Sequence, residues 1–198
     1  MFTGIIETTG IIKEVITAGT NKTFWIESPI SKELTIDQSV AHSGVCLTVE
    51  EINNGMHRVT AIEETLKKTN LNQCKINAVI NLERCLQMNG RLDGHIVQGH
   101  VDTIATCTNV LVKEGSWEYS FRFNSEFAGL VIEKGSASIN GISLTIFNVL
   151  QDEFTVAIIP YTFNHTNIKF IQKGDEINIE FDMIGKYVSR FIHLKQTS

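Results

Sequence analysis

The chain has 198 residues, of which 42% are hydrophobic and 20% are charged, and its formal net charge is −5. This composition predicts a folded chain with room for two small cores, and the lack of any lysine or arginine run excludes the basic face that nucleic acid binding requires. The four cysteines, Cys46, Cys74, Cys85 and Cys107, show no CxxC spacing, so we expect free thiols, a reducing compartment and no metal site.

Residues 1–7 contain no positively charged region and no long apolar stretch, so we expect no secretory signal, no membrane span and a cytoplasmic location.

The first part of the chain is predicted to form short strands. β-Branched residues predict a first strand from Phe2 to Val15, bent at its glycines, and a second strand over Thr23–Glu27. Ser31–Leu34 is predicted to form one helical turn.

A hairpin is the clearest local feature of this half. The apolar-rich runs Val45–Ile52 and Met56–Ile62 flank Asn53–Gly55. An Asn-Gly pair favours a tight hairpin turn because both residues tolerate positive φ. Thr65–Asn70 is predicted to be a connecting turn, and Val79–Leu82 a closing strand.

The second half repeats this order of elements. We predict a helical turn at Ser125–Leu130. Two strands, Ile142–Leu150 and Phe154–Ile159, flank a polar turn at Gln151–Glu153. A connecting turn at Thr162–Asn167 and a closing strand at Ile177–Glu180 follow. The polar, glycine-bearing stretch Gln87–His95 between the halves is predicted to be the linker. Gly185–Ser198 carries Tyr187, Val188, Phe191 and Ile192 at helical spacing, which predicts an amphipathic helix that packs against another subunit or its own barrel.

The two halves are copies of one unit. A shift of 97 positions aligns Ser39–Glu83 with Ser136–Glu180 without a gap, and it places the stretch Ser43–Val49 on Asn140–Ile146. A repeat of this length indicates two domain-sized copies. The fold class we predict is all-β, with two tandem six-stranded antiparallel Greek-key barrels and a C-terminal helix. The expected domains are an N-terminal barrel at 1–88, a linker at 89–96, a C-terminal barrel at 97–184 and the helix at 185–198.

The doubled stretch also predicts two related binding sites. Strand alternation directs Val45, Leu47 and Val49 to one face and Cys46 and Thr48 to the other. The second copy places Ser143 and Thr145 at the positions of Cys46 and Thr48. Each half therefore presents a nucleophile-type side chain and a threonine beside a glycine that lets a ligand approach the backbone.

Seven motifs in order give the chain a family resemblance. They are Met1–Glu7, Gly44–Thr48, Glu64–Leu66, Asn81–Arg84, Gly94–Asp102, Gly141–Thr145 and Asp182–Tyr187. With these motifs the chain resembles the riboflavin synthase family along nearly its whole length. The resemblance implies tandem lumazine-binding barrels in a homotrimer, with each active site between the N-terminal barrel of one subunit and the C-terminal barrel of the next. It further implies association with lumazine synthase.

The reaction implied by the resemblance joins two molecules of one substrate. A four-carbon unit moves between two molecules of 6,7-dimethyl-8-ribityllumazine, which gives riboflavin and 5-amino-6-(D-ribitylamino)uracil. The pteridine ring acts as its own electron sink, so we expect no metal and no cofactor. The partners expected are therefore two small-molecule substrates at each site and further copies of the chain, with no nucleic acid and no membrane.

The resemblance also assigns residues. The expected catalytic residues are Ser143, Cys46, His100, Asp182 and Thr145. The substrate-binding residues that it implies in or beside the first barrel are Gly4, Ile5, Ile6, Ser39, Cys46, Leu47, Thr48, Thr60, Ala61, Ile62, Glu63, Glu64, Thr65 and Asn81. Those that it implies in the second barrel are Gly99, His100, Val101, Lys134, Ser143, Leu144, Thr145, Ala157, Ile158, Ile159, Pro160, Tyr161 and Thr162.

One departure and two alternatives accompany this interpretation. Several members of the family carry aspartate at the position of Asn140, so we expect no acid or base role for this amide. The main alternative is a non-catalytic antenna protein that binds lumazine or flavin, but such relatives lose motif residues in one barrel. The other alternative, the flavin-binding barrel of an oxidoreductase, needs a glycine-rich dinucleotide motif that this sequence lacks.

Overall fold

The computed structural model describes residues 1–196 and consists mainly of two closed antiparallel barrels. The first barrel contains β1 (Thr8–Ala18), β2 (Asn21–Glu27), β3 (Ser39–His42), β4 (Val45–Asn53), β5 (Met56–Ala61) and β6 (Val79–Arg84), in the closed order β1-β2-β5-β4-β3-β6. The second contains β7 (Thr103–Lys113), β8 (Ser116–Arg122), β9 (Ser136–Ile139), β10 (Ile142–Phe147), β11 (Glu153–Ile158) and β12 (Glu176–Phe181), in the equivalent order β7-β8-β11-β10-β9-β12. The predicted fold class is confirmed.

In the described part of the chain, two short helices and one C-terminal helix complete the fold. They are α1 (Glu63–Lys68), α2 (Pro160–His165) and α3 (Met183–Gln196), with 3-10 turns at Pro29–Glu33, Asn70–Gln73, Ser125–Leu130 and Asn167–Phe170. The C-terminal helix is confirmed as far as it is described, and residues 197 and 198 of the prediction lie outside the described part of the chain. No helix within residues 1–196 is long and apolar enough to cross a membrane.

Two connecting turns of the prediction are helices in the structure. At α1 the sequence holds Glu63 and Glu64 in the first turn and Lys67 and Lys68 in the last, the order of charges that complements a helix dipole. Lys67 Nζ lies 2.7 Å from Glu63 Oε1, one helical turn away. This charge pattern was the signal for a helix that the short length of the segment concealed.

The first strand is shorter at its start than the sequence predicted. It begins at Thr8, because the preceding residues leave the first barrel and pair with the segment before the second. Phe2 N donates to Val97 O at 2.7 Å, and Val97 N donates to Phe2 O at 3.1 Å. The strand predicted from Phe2 is therefore wrong over its first six residues, and these residues connect the two halves.

Each barrel encloses its own apolar core. In β4, Val45, Leu47 and Val49 are buried whereas Thr48 is exposed, as the alternation predicted. Ile142 and Ile146 are buried at the equivalent positions of β10. The outer faces of β4 and β10 are thereby free to form binding sites beside the cores.

The doubled stretches meet at the interface between the barrels. Ser43 and Gly44 have φ values of 46° and 81°, and Asn140 and Gly141 have 46° and 83°, so both pairs form the tight turn with two positive φ angles. A Cβ atom at Gly44 would lie 2.8 Å from Gly141 N, and one at Gly141 would lie 2.8 Å from Gly44 N. Only glycine allows the two backbones to approach this closely.

A buried asparagine network surrounds this contact with twofold pseudosymmetry. Asn81 Nδ2 donates to Asn140 O at 2.9 Å, and Asn178 Nδ2 donates to Ser43 O at 2.9 Å. Asn81 and Asn178 are 0% and 1% exposed and occupy equivalent positions of β6 and β12. The network extends to Asn167, whose N–H donates to Asn81 Oδ1 at 2.7 Å. Because every bond here is shielded from water, each loss leaves an unpaired polar group that costs about 1–3 kcal/mol.

The first barrel contains a buried polar chain that the second lacks. His42 Nε2 and His57 Nε2 are 2.9 Å apart, and His57 Nδ1 lies 2.8 Å from Ser31 Oγ. His42 Nδ1 donates to Val40 O at 3.0 Å, so every group is satisfied when both rings are neutral, and a second proton on His42 would face the Nε2–H of His57. Burial lowers the pKa of His42 to about 3 and that of His57 to about 4.

These histidines predict an acid-sensitive first barrel. Unfolding returns each imidazole to its ordinary pKa of about 6.5, so the unfolded chain binds more protons and stability falls as the pH drops below that value. We expect the free energy of unfolding to fall by about 2 kcal/mol or more between pH 7 and pH 4.5 because of this pair. Urea unfolding followed by circular dichroism at both pH values measures the loss.

The second barrel supplies the matched variant. It holds Ala128, Ile139 and Phe154 at the positions of Ser31, His42 and His57. The triple variant S31A/H42I/H57F is therefore expected to lose this part of the pH dependence. An equal decline in the wild type and the variant would contradict the assignment.

Candidate substrate pockets

The first pocket lies outside the core of the first barrel. It has a volume of about 250 Å³ and is lined by Val45, Cys46, Glu64, Thr65, Lys68, Thr69, Gly99, His100 and Val101. β4 supplies Cys46, α1 supplies the residues around Thr65, and the chain before β7 supplies His100. Six of the residues assigned by the resemblance, Cys46, Glu64, Thr65, Gly99, His100 and Val101, are brought together here.

The second pocket lies at the equivalent place on the second barrel. Its volume is about 410 Å³, and its lining is Lys134, Ser143, Leu144, Thr145, Phe147, Ala157, Ile159 and Thr162. Lys134 has a φ of 64°, and its Nζ lies 5.3 Å from the centre of the Phe147 ring. This pocket therefore combines hydroxyl groups, an aromatic face and a cation, groups that suit a polar ring with a hydroxylated chain.

Each half of the chain places one segment against the pocket strand of the other half, and we call these segments, residues 3–6 and 98–101, the crossed segments. Ser143 N donates to Gly4 O at 2.8 Å, and Cys46 N donates to Gly99 O at 2.9 Å. Ile6 packs on the core of the second barrel, and Val101 on the core of the first. Gly4–Ile6, assigned with the first barrel, thus adjoins the second, and Gly99–Val101 adjoins the first.

A histidine that the sequence analysis placed in the linker lies beside Ser143. His95 Nδ1 is 2.6 Å from Ser143 Oγ. Burial lowers the pKa of His95, whereas the negative charge of Asp182 opposes this shift. The ring is therefore neutral near pH 7 and can accept the serine proton. The two Gly-His pairs of Gly94–His100 were the signal that a functional residue lay in this stretch.

Asp182 stands between this pair and the C-terminal helix. It lines an apolar cavity of about 380 Å³ together with Leu130, Ile132 and Val188. Its Oδ1 accepts a hydrogen bond from Ile184 N at 2.9 Å, so it caps the start of α3. Asp182 does not line the second pocket. Its negative charge acts on His95, which lies beside Ser143 of that pocket.

Cys46 is a protonated thiol in the first pocket. Burial is the largest cause that raises its pKa, and a hydrogen bond with Ser39 opposes the rise. The four predicted free thiols are confirmed. Since the thiolate is the nucleophilic form of cysteine, Cys46 is better placed to donate a hydrogen bond than to attack. Among residues 1–196, no group of three or more His, Cys, Asp or Glu side chains is arranged to hold a metal ion.

The remaining assigned residues fall outside the pocket linings. Leu47, Ala61 and Ile158 point into the barrel cores, so only their backbones can meet a ligand. Asn81 belongs to the buried asparagine network between the barrels. Thr48, Ile62, Glu63, Pro160 and Tyr161 are exposed near the pocket rims, and Ser39, Thr60 and Ile5 are partly or largely accessible.

The paired pockets define a class of protein, two-barrel proteins with one ligand site on each barrel. The family model that describes the lumazine binding domain matches residues 3–85 and again residues 98–182. The riboflavin synthase of Bacillus subtilis (strain 168) is 39% identical over 194 residues, covering 98% of this chain and 90% of that protein. The riboflavin synthase of Schizosaccharomyces pombe is 35% identical, and the alignment covers 97% of this chain and 94% of that protein.

A solved structure has the same fold. A crystal structure of LumP complexed with 6,7-dimethyl-8-(1'-D-ribityl) lumazine superimposes with a TM-score of 0.84 at 20% identity, covering 91% of this chain and 99% of that chain. The chain belongs to the riboflavin synthase family, which is built from two lumazine binding domains.

The crossed segments predict that Gly99 cannot be enlarged. A Cβ at Gly99 would lie 2.6 Å from Cys46 Cβ and 2.8 Å from Phe2 Cε2. We expect G99A to weaken ligand binding at the first pocket by about tenfold or more, which corresponds to about 1.4 kcal/mol. Isothermal titration calorimetry with riboflavin measures the change.

Gly115 is the matched control for this variant. Its φ is 86°, close to the 81° of Gly99, but a Cβ there would meet no atom within 4 Å. G115A therefore carries the same backbone strain without the contact. Equal effects of G99A and G115A on binding would refute a steric role for the crossed segment.

Proposed function

We propose that the protein is a riboflavin synthase, a transferase that converts two molecules of 6,7-dimethyl-8-ribityllumazine into riboflavin and 5-amino-6-(D-ribitylamino)uracil. The observation that carries the proposal is the pair of equivalent pockets, one on each barrel, in a chain that matches riboflavin synthases along 98% of its length. A reaction between two like substrates needs two like sites.

The protein's main contribution to this reaction is position. Holding two pteridine rings in register converts a meeting of two molecules into a step within one complex, which lowers the barrier by up to about 7–11 kcal/mol. The two substrates contain all the atoms and electrons of the two products. Proton transfer at the acidic 7-methyl group and at the ring then adds about 10²–10⁴-fold.

Ser143 and His95 are the best-formed acid–base pair of the second pocket. With a neutral ring 2.6 Å away, the Ser143 hydroxyl can pass its proton to His95 while it holds or activates a nucleophile at the substrate ring. Asp182 favours the protonated imidazole that results, and Thr145 lies two residues along the same strand.

The first pocket offers a different set of groups to the second substrate. Cys46 can donate a hydrogen bond from its thiol, and the exposed side chain of His100 lies at the same pocket. Backbone groups beside Cys46 and Gly99 suit the alternating donors and acceptors of a pyrimidinedione edge.

A homotrimer is part of the proposal. Tyr187, Val188, Phe191 and Ile192 of α3 are 62%, 52%, 65% and 51% exposed, an apolar face that a second subunit would cover. A neighbouring subunit would also bring a first pocket against a second one, so that two bound substrates meet. The domain limits at 1–88, 89–96, 97–184 and 185–198, the cytoplasmic location and association with lumazine synthase complete the proposal.

The antenna-protein alternative has less support. Both pockets retain their polar residues, namely Cys46 and His100 in the first, and Ser143 and Thr145 in the second. A protein that only held one chromophore would have no use for two complete sites. The likeness to LumP, at 20% identity, concerns the fold.

The direct test is turnover by the purified protein. With 6,7-dimethyl-8-ribityllumazine and no added metal or nucleotide, we expect one riboflavin for every two lumazines consumed. Chromatography and absorbance measure both compounds. Binding with an unchanged lumazine spectrum and no product would favour the antenna protein instead.

Replacement of Ser143 tests its place in the chemistry. S143A is expected to lower kcat by about 10²–10⁴-fold with a smaller change in KM, because it removes one partner of an acid–base pair. Steady-state kinetics of S143A, H95Q and the double variant should give losses that are far from additive.

Ser120 provides the control for this series. It lies on β8, where its Oγ is 3.0 Å from Thr155 Oγ1, and S120A should keep wild-type turnover. Equal losses of binding and turnover in S143A would count against a catalytic role for the serine.

A further inference from the structure

Two buried glutamates occupy equivalent positions on the closing strands of the barrels. Glu83 lies on β6 and is 4% exposed, and Glu180 lies on β12 and is 2% exposed. A buried carboxylate is costly unless hydrogen bonds replace its water. The mechanism proposed above assigns no role to either residue.

Both carboxylates bind the backbone of a crossed segment. Glu83 Oε1 accepts from Thr3 N and Thr3 Oγ1, each at 2.7 Å, and its Oε2 accepts from Gly4 N at 3.0 Å. Glu180 Oε1 accepts from Gln98 N at 2.6 Å, and its Oε2 accepts from Gly99 N and His100 N, each at 2.8 Å. An ionised carboxylate is a pure acceptor and makes strong bonds of this kind.

The same segments lie against the motif of the opposite barrel. Gly4 accepts from Ser143 N through its carbonyl, and Gly99 accepts from Cys46 N. These contacts leave no free space. A Cβ at Gly4 would lie 2.6 Å from Ser143 Cβ, and a Cβ at Gly99 would lie 2.6 Å from Cys46 Cβ. A displacement of either segment therefore moves the pocket residue that it touches.

We propose that Glu83 and Glu180 are positioning residues that act across the barrels, Glu83 on Ser143 and Glu180 on Cys46 and His100. Each barrel thus holds in place the segment that contacts the pocket strand of the other. The inference rests on the proposed function for its effect on turnover, but its structural part holds for any ligand.

Glutamine is the informative replacement at both positions. It keeps the size of glutamate but turns one acceptor oxygen into an NH2 donor, which opposes a backbone N–H and releases part of the segment. Ile80→Val on β6 and Ile177→Val on β12 are the controls, because each loosens the core of the same strand without touching the crossed segment. All four variants are made in the full chain.

Hydrogen exchange of the ligand-free protein, followed by mass spectrometry, tests the crossed action directly. We expect E83Q to speed exchange in residues 142–147 of the second barrel and to leave residues 45–49 unchanged. E180Q should do the reverse, and I80V and I177V should not reproduce either pattern. Faster exchange only in the motif of the same barrel, or equally in both motifs, would overturn the proposal.

Turnover of the same variants tests the functional part of the positioning proposal. We expect E83Q and E180Q each to lower kcat about 10²-fold, the loss expected for a misplacement of about 1 Å, while the valine variants keep wild-type kcat. A loss of kcat no greater than that of the valine controls would overturn the positioning role. A wild-type protein without turnover would instead refute the proposed function, and the exchange pattern would still decide the structural claim.

Discussion

The close contact between the backbones of Gly44 and Gly141 fixes the two barrels relative to each other, and the positions of both pockets follow from it. Two tight turns, each with two positive φ angles, meet where any side chain would collide. This contact relates β4 and β10 by a local twofold axis, and the buried hydrogen bonds of the asparagine network stabilise it. The two pockets lie on the outer faces of those same strands, so their equivalence follows from the interface and not from each barrel alone.

The symmetry of the backbone does not extend to the chemistry. Ser143 with His95 stands in the second pocket where Cys46 stands in the first, and Cys85 occupies the position equivalent to Asp182. On the proposed function, two identical substrates therefore meet different groups, a neutral imidazole–hydroxyl pair and a thiol. Such a difference suits a reaction in which one molecule gives a four-carbon unit and the other receives it. The buried histidines, present in the first barrel only, add a difference in acid stability.

The sequence allowed the barrels, the hairpin at Asn53–Gly55, the inward and outward residues of β4 and the terminal helix to be predicted, because these follow from local periodicity and from the repeat. It did not reveal β3, whose four residues are too short for a periodic signal, or the strand limit at Thr8, which depends on a distant partner, Val97. The asparagine network was not predicted for the same reason, since the partners of Asn81 lie 59 and 86 residues away. His95 was overlooked because a polar, glycine-bearing stretch is typical of a linker.

On the proposed function, each barrel holds one ligand site, and a segment from the other half of the chain contacts the strand that forms it. A calorimetric titration with 8-ribityllumazine tests this arrangement, because this ligand lacks the methyl groups that the reaction needs and therefore binds without turning over. We expect two ligands per chain at saturation, with one lost in a variant that blocks the first pocket. Saturation at one ligand per chain would contradict it.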